Sequence, residues 1–478
     1  MLEQLTNSIT ALDGMVWQPF AMPIVLLVVG GLITISTGVV QITRFPFAVK
    51  MVFAGIRQKA SADANTITPF QALSTALAST VGNGNIGGVA TAILIGGPGA
   101  VFWMWICATV GMATKYAEAV LGVHFRVTRE TGELASGPMY YITRGIPNKQ
   151  LGKSLAMMFA FFGAMAALLG TGNMAQSNTV ARTFVEAASL TGYAVPTWVP
   201  GLLITAAVGL VLLGGIHRIA NVADKLVPSM IVLYLAAGLS YVALNITLLP
   251  EVLLRIVEEA FKPTAAIGGF AGASVAQAIA SGVSRGVLSN EAGLGSAPIA
   301  HGIASVKHPA EQGVVGIFEV FVDTILVCTV TAFIILESGL WTDPAFANAS
   351  GDLTAAALGT TIPGARIIVA ICSFLFGFST LIGWYYYGEK CVEFMFGSGV
   401  IKAYKIVFTA LIMVGAVVSV PLVWAVGTLL NGFMAFPNLI GLAFLLGTVR
   451  KITVDYFRNG GKEYSVENPV TGAMYQGR

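Results

Sequence analysis

The sequence predicts an all-α membrane protein of eleven transmembrane helices, two of them interrupted at bilayer depth. Three observations predict it: the scarcity of charge, the length of the apolar runs, and the placement of Lys and Arg between those runs. Of 478 residues, 56% are hydrophobic and 10% charged, and the mean hydropathy is +0.80. A soluble domain carries about 25% charged residues because its surface faces water. This chain has too few to do so, and most of its surface faces lipid. Its 55 glycines agree, since helices approach one another in a bilayer through small residues.

A helix needs about 20 apolar residues to cross the hydrocarbon core. Candidate spans fall at roughly 20–42, 68–95, 97–123, 154–190, 196–217, 225–247, 268–300, 312–338, 364–397, 403–421 and 424–449. The basic residues test that count. Arg44, Lys50, Arg57 and Lys59 fill the first loop, and Arg126, Arg129, Arg144, Lys149 and Lys153 the loop after the third span. Arg218 and Lys225 flank the next such loop, Lys307 lies in the following one, Lys402 and Lys405 in the one after, and Arg450, Lys451, Arg458 and Lys462 in the tail. Those loops are every second one. The loops between carry Arg255 and Lys262 among acids, or acids alone such as Asp343 and Asp352. The positive-inside rule then puts the N-terminus outside and the C-terminus in the cytoplasm of a multi-pass protein of the cell inner membrane.

Several classes drop out. Residues 1–18 hold no Lys or Arg and no continuous apolar run, so they do not read as a cleavable signal. Cys107, Cys328, Cys372 and Cys391 fall inside apolar segments, without disulfide or zinc spacing. A net charge of +3 without a basic tail gives no case for nucleic acid. No P-loop argues for a nucleotide, and no His-Glu-x-x-His or Gly-x-Ser-x-Gly pattern argues for an enzyme. Residues 251–261 are amphipathic at helical spacing and too short to span. They read as an outer interfacial helix, either a gate element or a plain connector.

The two interrupted spans carry the functional signal. The second reads Ala78-Ser79-Thr80-Val81-Gly82-Asn83-Gly84-Asn85-Ile86-Gly87-Gly88, and glycine and asparagine are poor helix formers. Unwound backbone at that depth is tolerated only where it is buried in protein or lines a polar cavity. The seventh reads Arg285-Gly286-Val287-Leu288-Ser289-Asn290-Glu291-Ala292-Gly293, and mid-membrane charges and amides mark ligand or ion paths. With the first span set aside, these breaks open two sets of five spans. A shift of 206 positions lays Gln71 on Gln277, Ala72 on Ala278 and Gly87 on Gly293. Five is odd, so the second set inserts upside down. Broken helices opening each half of an inverted repeat point to a transporter's binding site. A channel for small polar solutes is the rival class.

The runs Gly82-Asn83-Gly84-Asn85-Ile86-Gly87-Gly88, Gly96-Gly97-Pro98-Gly99, Ser289-Asn290-Glu291-Ala292-Gly293-Leu294-Gly295-Ser296-Ala297-Pro298 and Gly137-Pro138-Met139-Tyr140-Tyr141 resemble the alanine-or-glycine:cation symporter family. The resemblance covers roughly residues 20–450. It implies a LeuT-type fold with one extra N-terminal helix, and sodium-driven uptake of alanine or glycine, with D-alanine a further candidate. Proton coupling is the alternative. The parts are then 1–67 (N-terminal helix and first cytoplasmic loop), 68–247 (first repeat), 248–267 (outer connector), 268–449 (second repeat) and 450–478 (tail). A monomer is expected.

The same resemblance implies the site. Backbone amides at Asn83 and Gly84 hold the substrate carboxylate, with Gly84 letting the backbone approach closely, and Thr80, Gly82, Asn85, Leu288, Ser289 and Asn290 are further substrate-binding candidates. Asn85 and the Thr80 carbonyl face one Na⁺. The Ala78 and Val81 carbonyls, with the hydroxyls of Ser379 and Thr380, face a second. The chemistry suits these residues: free N–H groups at a half-helix N-terminus bind an anion, and hard cations take oxygen ligands. Ser379 and Thr380 alternatively bond carbonyls of their own helix. Gln176 either contacts substrate or ties two helices together. Glu319 and Asp323, four apart on one face, form an interior network, attract cations or carry protons. Arg285 and Glu291 are close enough in sequence to pair. Residues 384–387 (Trp-Tyr-Tyr-Tyr) form either a cytoplasmic gate or, the favoured reading, an aromatic belt.

Overall fold

The computed structural model describes residues 2–18, 21–56, 66–129, 132–189, 192–266, 272–347, 350–418 and 420–464. Among them the chain is helical apart from one short hairpin, Val127–Thr128 against Leu134–Ala135. Every predicted span holds helix. In order these are Met22–Ser36; the pair Pro69–Thr80 and Val89–Gly96; Gly99–His124; Lys149–Leu169 with Met174–Ser189; Trp198–Leu212; and Gly215–Leu244. Then come the pair Val275–Asn290 and Pro298–His301; the stretch Pro309–Ser338; Ala365–Phe396; Ile401–Val417; and Val420–Arg458. Seven helical stretches among the described residues are long and apolar enough to cross a membrane. This is a multi-pass membrane protein.

Both interrupted spans are interrupted in the structure, and both begin alike. Thr68 and Gln71 form a reciprocal capping box at the first, Ser274 and Gln277 at the second. Each box satisfies two backbone N–H groups that the first helical turn leaves without partners. The register that lays Gln71 on Gln277 also lays Thr68 on Ser274. The two broken helices cross closely: Ser281 donates to the Ala92 carbonyl at 3.2 Å, and a Cβ on Gly96 would lie 3.1 Å from the Ala278 Cα.

Four details differ from the sequence reading. The fourth span is two helices, because Gly170-Thr171-Gly172-Asn173 turns between Leu169 and Met174. A Cβ on Gly172 would sit 2.6 Å from the Trp384 ring, so only glycine lets the aromatic face approach. Residues 2–16, which carry no span signal, form a helix, held where Trp17 Nε1 donates to the Thr428 carbonyl at 3.1 Å. The helix Ser350–Gly359 has no counterpart in the predicted spans. It sits on the first break, with Thr354 Oγ1 donating to the Ile86 carbonyl at 3.0 Å. Trp384, Tyr385, Tyr386 and Tyr387 are all buried and form no interfacial belt. The amphipathic connector is in place as Leu249–Glu259. Its end packs so closely on the long helix Gly99–His124 that a Cβ on Gly99 would meet the Glu259 carbonyl oxygen at 2.3 Å.

The long helix Ala365–Phe396 locks onto the first broken helix at Gly383, where a Cβ would lie 2.1 Å from Ser79 Oγ. Gly383→Ala is expected to destabilise the protein by about 1–3 kcal/mol, the usual effect of overpacking. Thermal inactivation of the purified variant measures this, and an unchanged midpoint would mean that Ser79 moves aside freely.

Candidate functional site

The site begins with what the first break does to hydrogen bonding. In an uninterrupted helix the N–H groups of Gly82, Asn83, Gly84 and Asn85 would bond the carbonyls of Ala78, Ser79, Thr80 and Val81. Here the Gly82 N–H donates to Asn85 Oδ1 at 2.8 Å, the Asn83 N–H to Gln176 Oε1 at 3.4 Å, and the Asn85 N–H to the Gly82 carbonyl at 3.1 Å. Among the described residues no partner engages the Gly84 N–H, and no backbone N–H reaches the four carbonyls. A wider, π-helical turn over Gly84–Gly88 then leads into Val89–Gly96. One free donor and four free acceptors thus lie close together at bilayer depth.

The second break mirrors this. Ala292 N–H turns to Asn290 Oδ1 at 2.9 Å, Gly293 and Gly295 N–H donate to Glu118 Oε1 at 3.2 and 3.0 Å, and Leu294 N–H donates to the Glu291 carbonyl. The carbonyls of Leu288, Ser289 and Asn290 are thereby left without helical donors. Glu291 takes the left-handed conformation at φ +57°, and Gly293 and Gly295 have φ of +90° and +83°, a region glycine enters without cost.

The breaks meet. A Cβ built on Gly84 would lie 3.8 Å from the Ser289 Cα and 3.9 Å from the Leu288 carbonyl oxygen. Between them is a cavity of about 20 Å³ lined by Ser79, Thr80, Gly82, Gly84, Gly88, Thr171, Gln176, Arg285, Leu288, Glu291, Thr380, Trp384 and Trp424. That holds about one water, so in this state an amino acid enters only if the walls part. Contacts tie down both ends. Ser350–Gly359 covers one, while at the other Ser305 N–H bonds the Ile67 carbonyl at 2.8 Å and Gln71 bonds Asn221 at 2.9 Å. Arg129 also forms an ion pair with Glu393 there.

Of the residues the sequence singles out, Thr80, Gly82, Gly84, Gln176, Leu288 and Thr380 line this cavity. Ala78, Val81, Asn83 and Asn85 are buried behind it. Gln176 bridges: its Oε1 accepts from Asn83 Nδ2 at 3.1 Å, and its Nε2 donates to the Thr171 carbonyl at 3.1 Å. Ser379 and Thr380 both donate to the Phe376 carbonyl at 2.9 Å. Thr380 still faces the break, since a Cβ on Gly82 would lie 2.7 Å from its Oγ1.

Asn85, Ser289 and Asn290 turn to a different centre. Asp323 Oδ1 accepts from Asn85 Nδ2 at 2.7 Å, and Asp323 Oδ2 accepts from Ser289 Oγ at 2.8 Å and Thr324 Oγ1 at 2.7 Å. Asn290 Nδ2 donates to Thr324 Oγ1 at 3.1 Å. All five residues are buried. Asp323 sits in a π-helical stretch, Phe321–Cys328, a local widening frequent at functional sites. Glu319, one turn away, belongs elsewhere: Lys115 Nζ lies 3.1 Å from its Oε1 and His301 Nε2 2.8 Å from its Oε2. Glu291 does not pair with Arg285. It accepts from Trp384 Nε1 at 2.7 Å and from the Ser296 hydroxyl, because the left-handed turn carries it away from the preceding helix.

Sequence reasoning misses Thr171 and Trp424 as lining residues. The Gly-Thr-Gly-Asn run at 170–173, akin to the Gly-Asn-Gly-Asn run at 82–85, is an available signal for Thr171; nothing local marks Trp424.

Two breaks facing each other across a cavity within a multi-pass bundle define a membrane transporter rather than an enzyme. Residues 2–469 match the sodium:alanine symporter family, and the chain belongs to that family of sodium-coupled symporters. It is 44% identical over 442 residues to the sodium/alanine symporter AgcS of Methanococcus maripaludis, covering 92% of this chain and 95% of the relative. It is 39% identical over 402 residues to the probable sodium/glutamine symporter GlnT of Bacillus subtilis, covering 84% and 80%. Its structure is similar to that of an Eremococcus coleocola manganese transporter mutant, with a TM-score of 0.51 over 81% of each chain at 13% identity. At that identity the likeness concerns the fold.

Proposed function

We propose that this protein takes up a small neutral amino acid, alanine or glycine, together with Na⁺ by alternating access, through eleven spans of which ten form two inverted sets of five. The observation that carries this reading is that Gly84, whose N–H has no partner among the described residues, and Leu288, whose carbonyl has no helical donor, line the same cavity. A zwitterion needs both: a donor at a half-helix N-terminus for its carboxylate and an acceptor for its ammonium. Trp384, held against Gly172 and hydrogen-bonded to Glu291, forms part of the cavity wall. The sodium/alanine relative supports a small cargo. The basic loops support an orientation with the C-terminus in the cytoplasm.

Na⁺ is co-transported cargo in this reading. The four free carbonyls, Ala78 to Val81, offer the oxygen ligands it prefers, and Asp323 supplies a nearby formal charge through Asn85. Thr380 faces the same break from the long helix and completes a second oxygen set with Ser379. Asp323→Asn keeps the shape and removes the charge. It is expected to raise the Na⁺ concentration for half-maximal uptake by about tenfold or more, equivalent to about 1.4 kcal/mol. An unchanged sodium dependence in a folded Asp323→Asn protein would remove Asp323 from the ion path.

Proton coupling is a second reading because of the buried chain Lys115–Glu319–His301–Gln312, whose members touch at 3.1, 2.8 and 2.6 Å. Radiolabelled alanine uptake into proteoliposomes, with sodium and proton gradients imposed separately, decides between the two. Saturable uptake driven by the sodium gradient alone is expected. Flux that does not saturate and ignores sodium would instead indicate a channel.

A further inference from the structure

A second cavity, of about 240 Å³, opens between the last turns of Met174–Ser189, the helix Ser350–Gly359 and the first turn of Ala365–Phe396. It is about tenfold larger than the central one. It lies on the face that carries Ser350–Gly359, opposite the basic loops.

Its walls carry both signs of charge over an apolar floor. Glu186 and Asp352 stand within hydrogen-bonding reach of each other, and the Arg182 and Arg366 guanidiniums both act on Glu186; of the two, Arg366 lines the cavity. Phe346 and Val369 contribute apolar surface. Among the described residues, none of the three charged groups has an ion-pair partner within 4.0 Å. Two carboxylates so close repel unless a cation or proton comes between them, while Arg366 retains free donors suited to a carboxylate. A lone cation would leave Arg366 unanswered, and a lone anion would leave the acids so. A small zwitterion answers both.

The cavity also communicates with the central site. Thr183, in its wall, donates to Ser373 Oγ at 3.1 Å, Ser373 donates to Asn83 Oδ1 at 2.7 Å, and Asn83 Nδ2 donates to Gln176, which lines the central cavity. One hydrogen-bonded layer separates the two spaces, and its innermost member is part of the first break.

We propose that the larger cavity is an outer waiting site for the transported amino acid, with Arg366 taking the carboxylate and the Glu186–Asp352 pair the ammonium. Ser373 and Asn83 form the partition it crosses to reach the central site. This rests on the amino-acid cargo proposed above.

Equilibrium binding of radiolabelled alanine to the purified full-length protein at saturating sodium tests it. Two alanines per chain are expected in the wild type, one in Arg366→Gln, and two again in Arg366→Lys, which keeps the charge. Gly84→Val, altered only at the central site, is expected to retain one. Uptake by Arg366→Gln should need about tenfold more alanine for half-saturation, corresponding to one lost charged contact of about 1.4 kcal/mol. A single alanine per wild-type chain overturns the waiting site even if no variant folds, as does an undiminished count in Arg366→Gln. A labelled-sodium count that drops by one in Glu186→Gln/Asp352→Asn while two alanines still bind overturns it too, because the acids then hold Na⁺ instead. Absence of any alanine binding in the wild type refutes the proposed cargo, and the waiting site with it.

Discussion

Gly84→Val will leave a folded protein that no longer takes up alanine, with affinity at the central site weakened by at least about 100-fold, or roughly 2.7 kcal/mol. The reasoning separates folding from function. Gly84 does not occupy a left-handed conformation, and a Cβ there would find its nearest neighbours at 3.8 and 3.9 Å, ordinary contact distances. The fold therefore admits a side chain. The extra methyl groups would extend into a space of about 20 Å³, between the one free N–H of the first break and the Leu288 carbonyl opposite. Gly82 would be a poorer test, because a Cβ there collides with Thr380 Oγ1 at 2.7 Å and mixes a packing defect with the lost site. Sodium-driven uptake and thermal inactivation, measured on the same preparation, separate the outcomes. Normal alanine uptake by a well-folded Gly84→Val protein would remove this N–H from substrate binding.

Lys115→Met is expected to cost about 3–5 kcal/mol of stability, the typical result of removing one partner from a buried ion pair. Lys115, Glu319 and His301 are wholly buried. The lysine also acts electrostatically on Glu118 and Glu291, so its loss leaves several buried carboxylates around one vacated position. Lys115→Met/Glu319→Met removes both charges and should recover most of the loss, since replacing a buried pair with apolar side chains is often neutral. Thermal inactivation of the single and double variants gives the comparison. A single variant as stable as the wild type would mean that the buried carboxylates are neutral without the lysine.

The sequence reveals most where function depends on local chain chemistry. The glycines and asparagines of 82–88 announce a break because they form helix poorly, and the break necessarily strands the carbonyls four residues earlier. That Ala78, Thr80 and Val81 supply the acceptors is what the family resemblance implies, and the structure leaves their carbonyls without helical donors. The 206-position shift lays Gln71 on Gln277, but the capping boxes these form with Thr68 and Ser274 appear only in the structure. Gln176 is ambiguous in the sequence for a physical reason: an uncharged amide in a span serves a ligand or a neighbouring helix equally well. Only its position beside Asn83 shows that it ties the first break to the turn at 170–173.

Long-range pairing is not legible in the same way. Asn85 and Asp323 are 238 residues apart, and Lys115 and Glu319 are 204 apart. Nothing in either neighbourhood names the other. Four consecutive aromatics read as an interfacial belt because their amphipathic rings favour headgroups, yet Gly172 and Glu291 draw Trp384 inward. Class, span positions and the locations of the two breaks come from composition and helix propensity, which act within a few residues. The facing of Gly84 toward Leu288, the grouping around Asp323 and the second cavity come from tertiary packing. Desolvated polar groups in lipid must find partners wherever the fold brings them, and the chain alone does not say where that is.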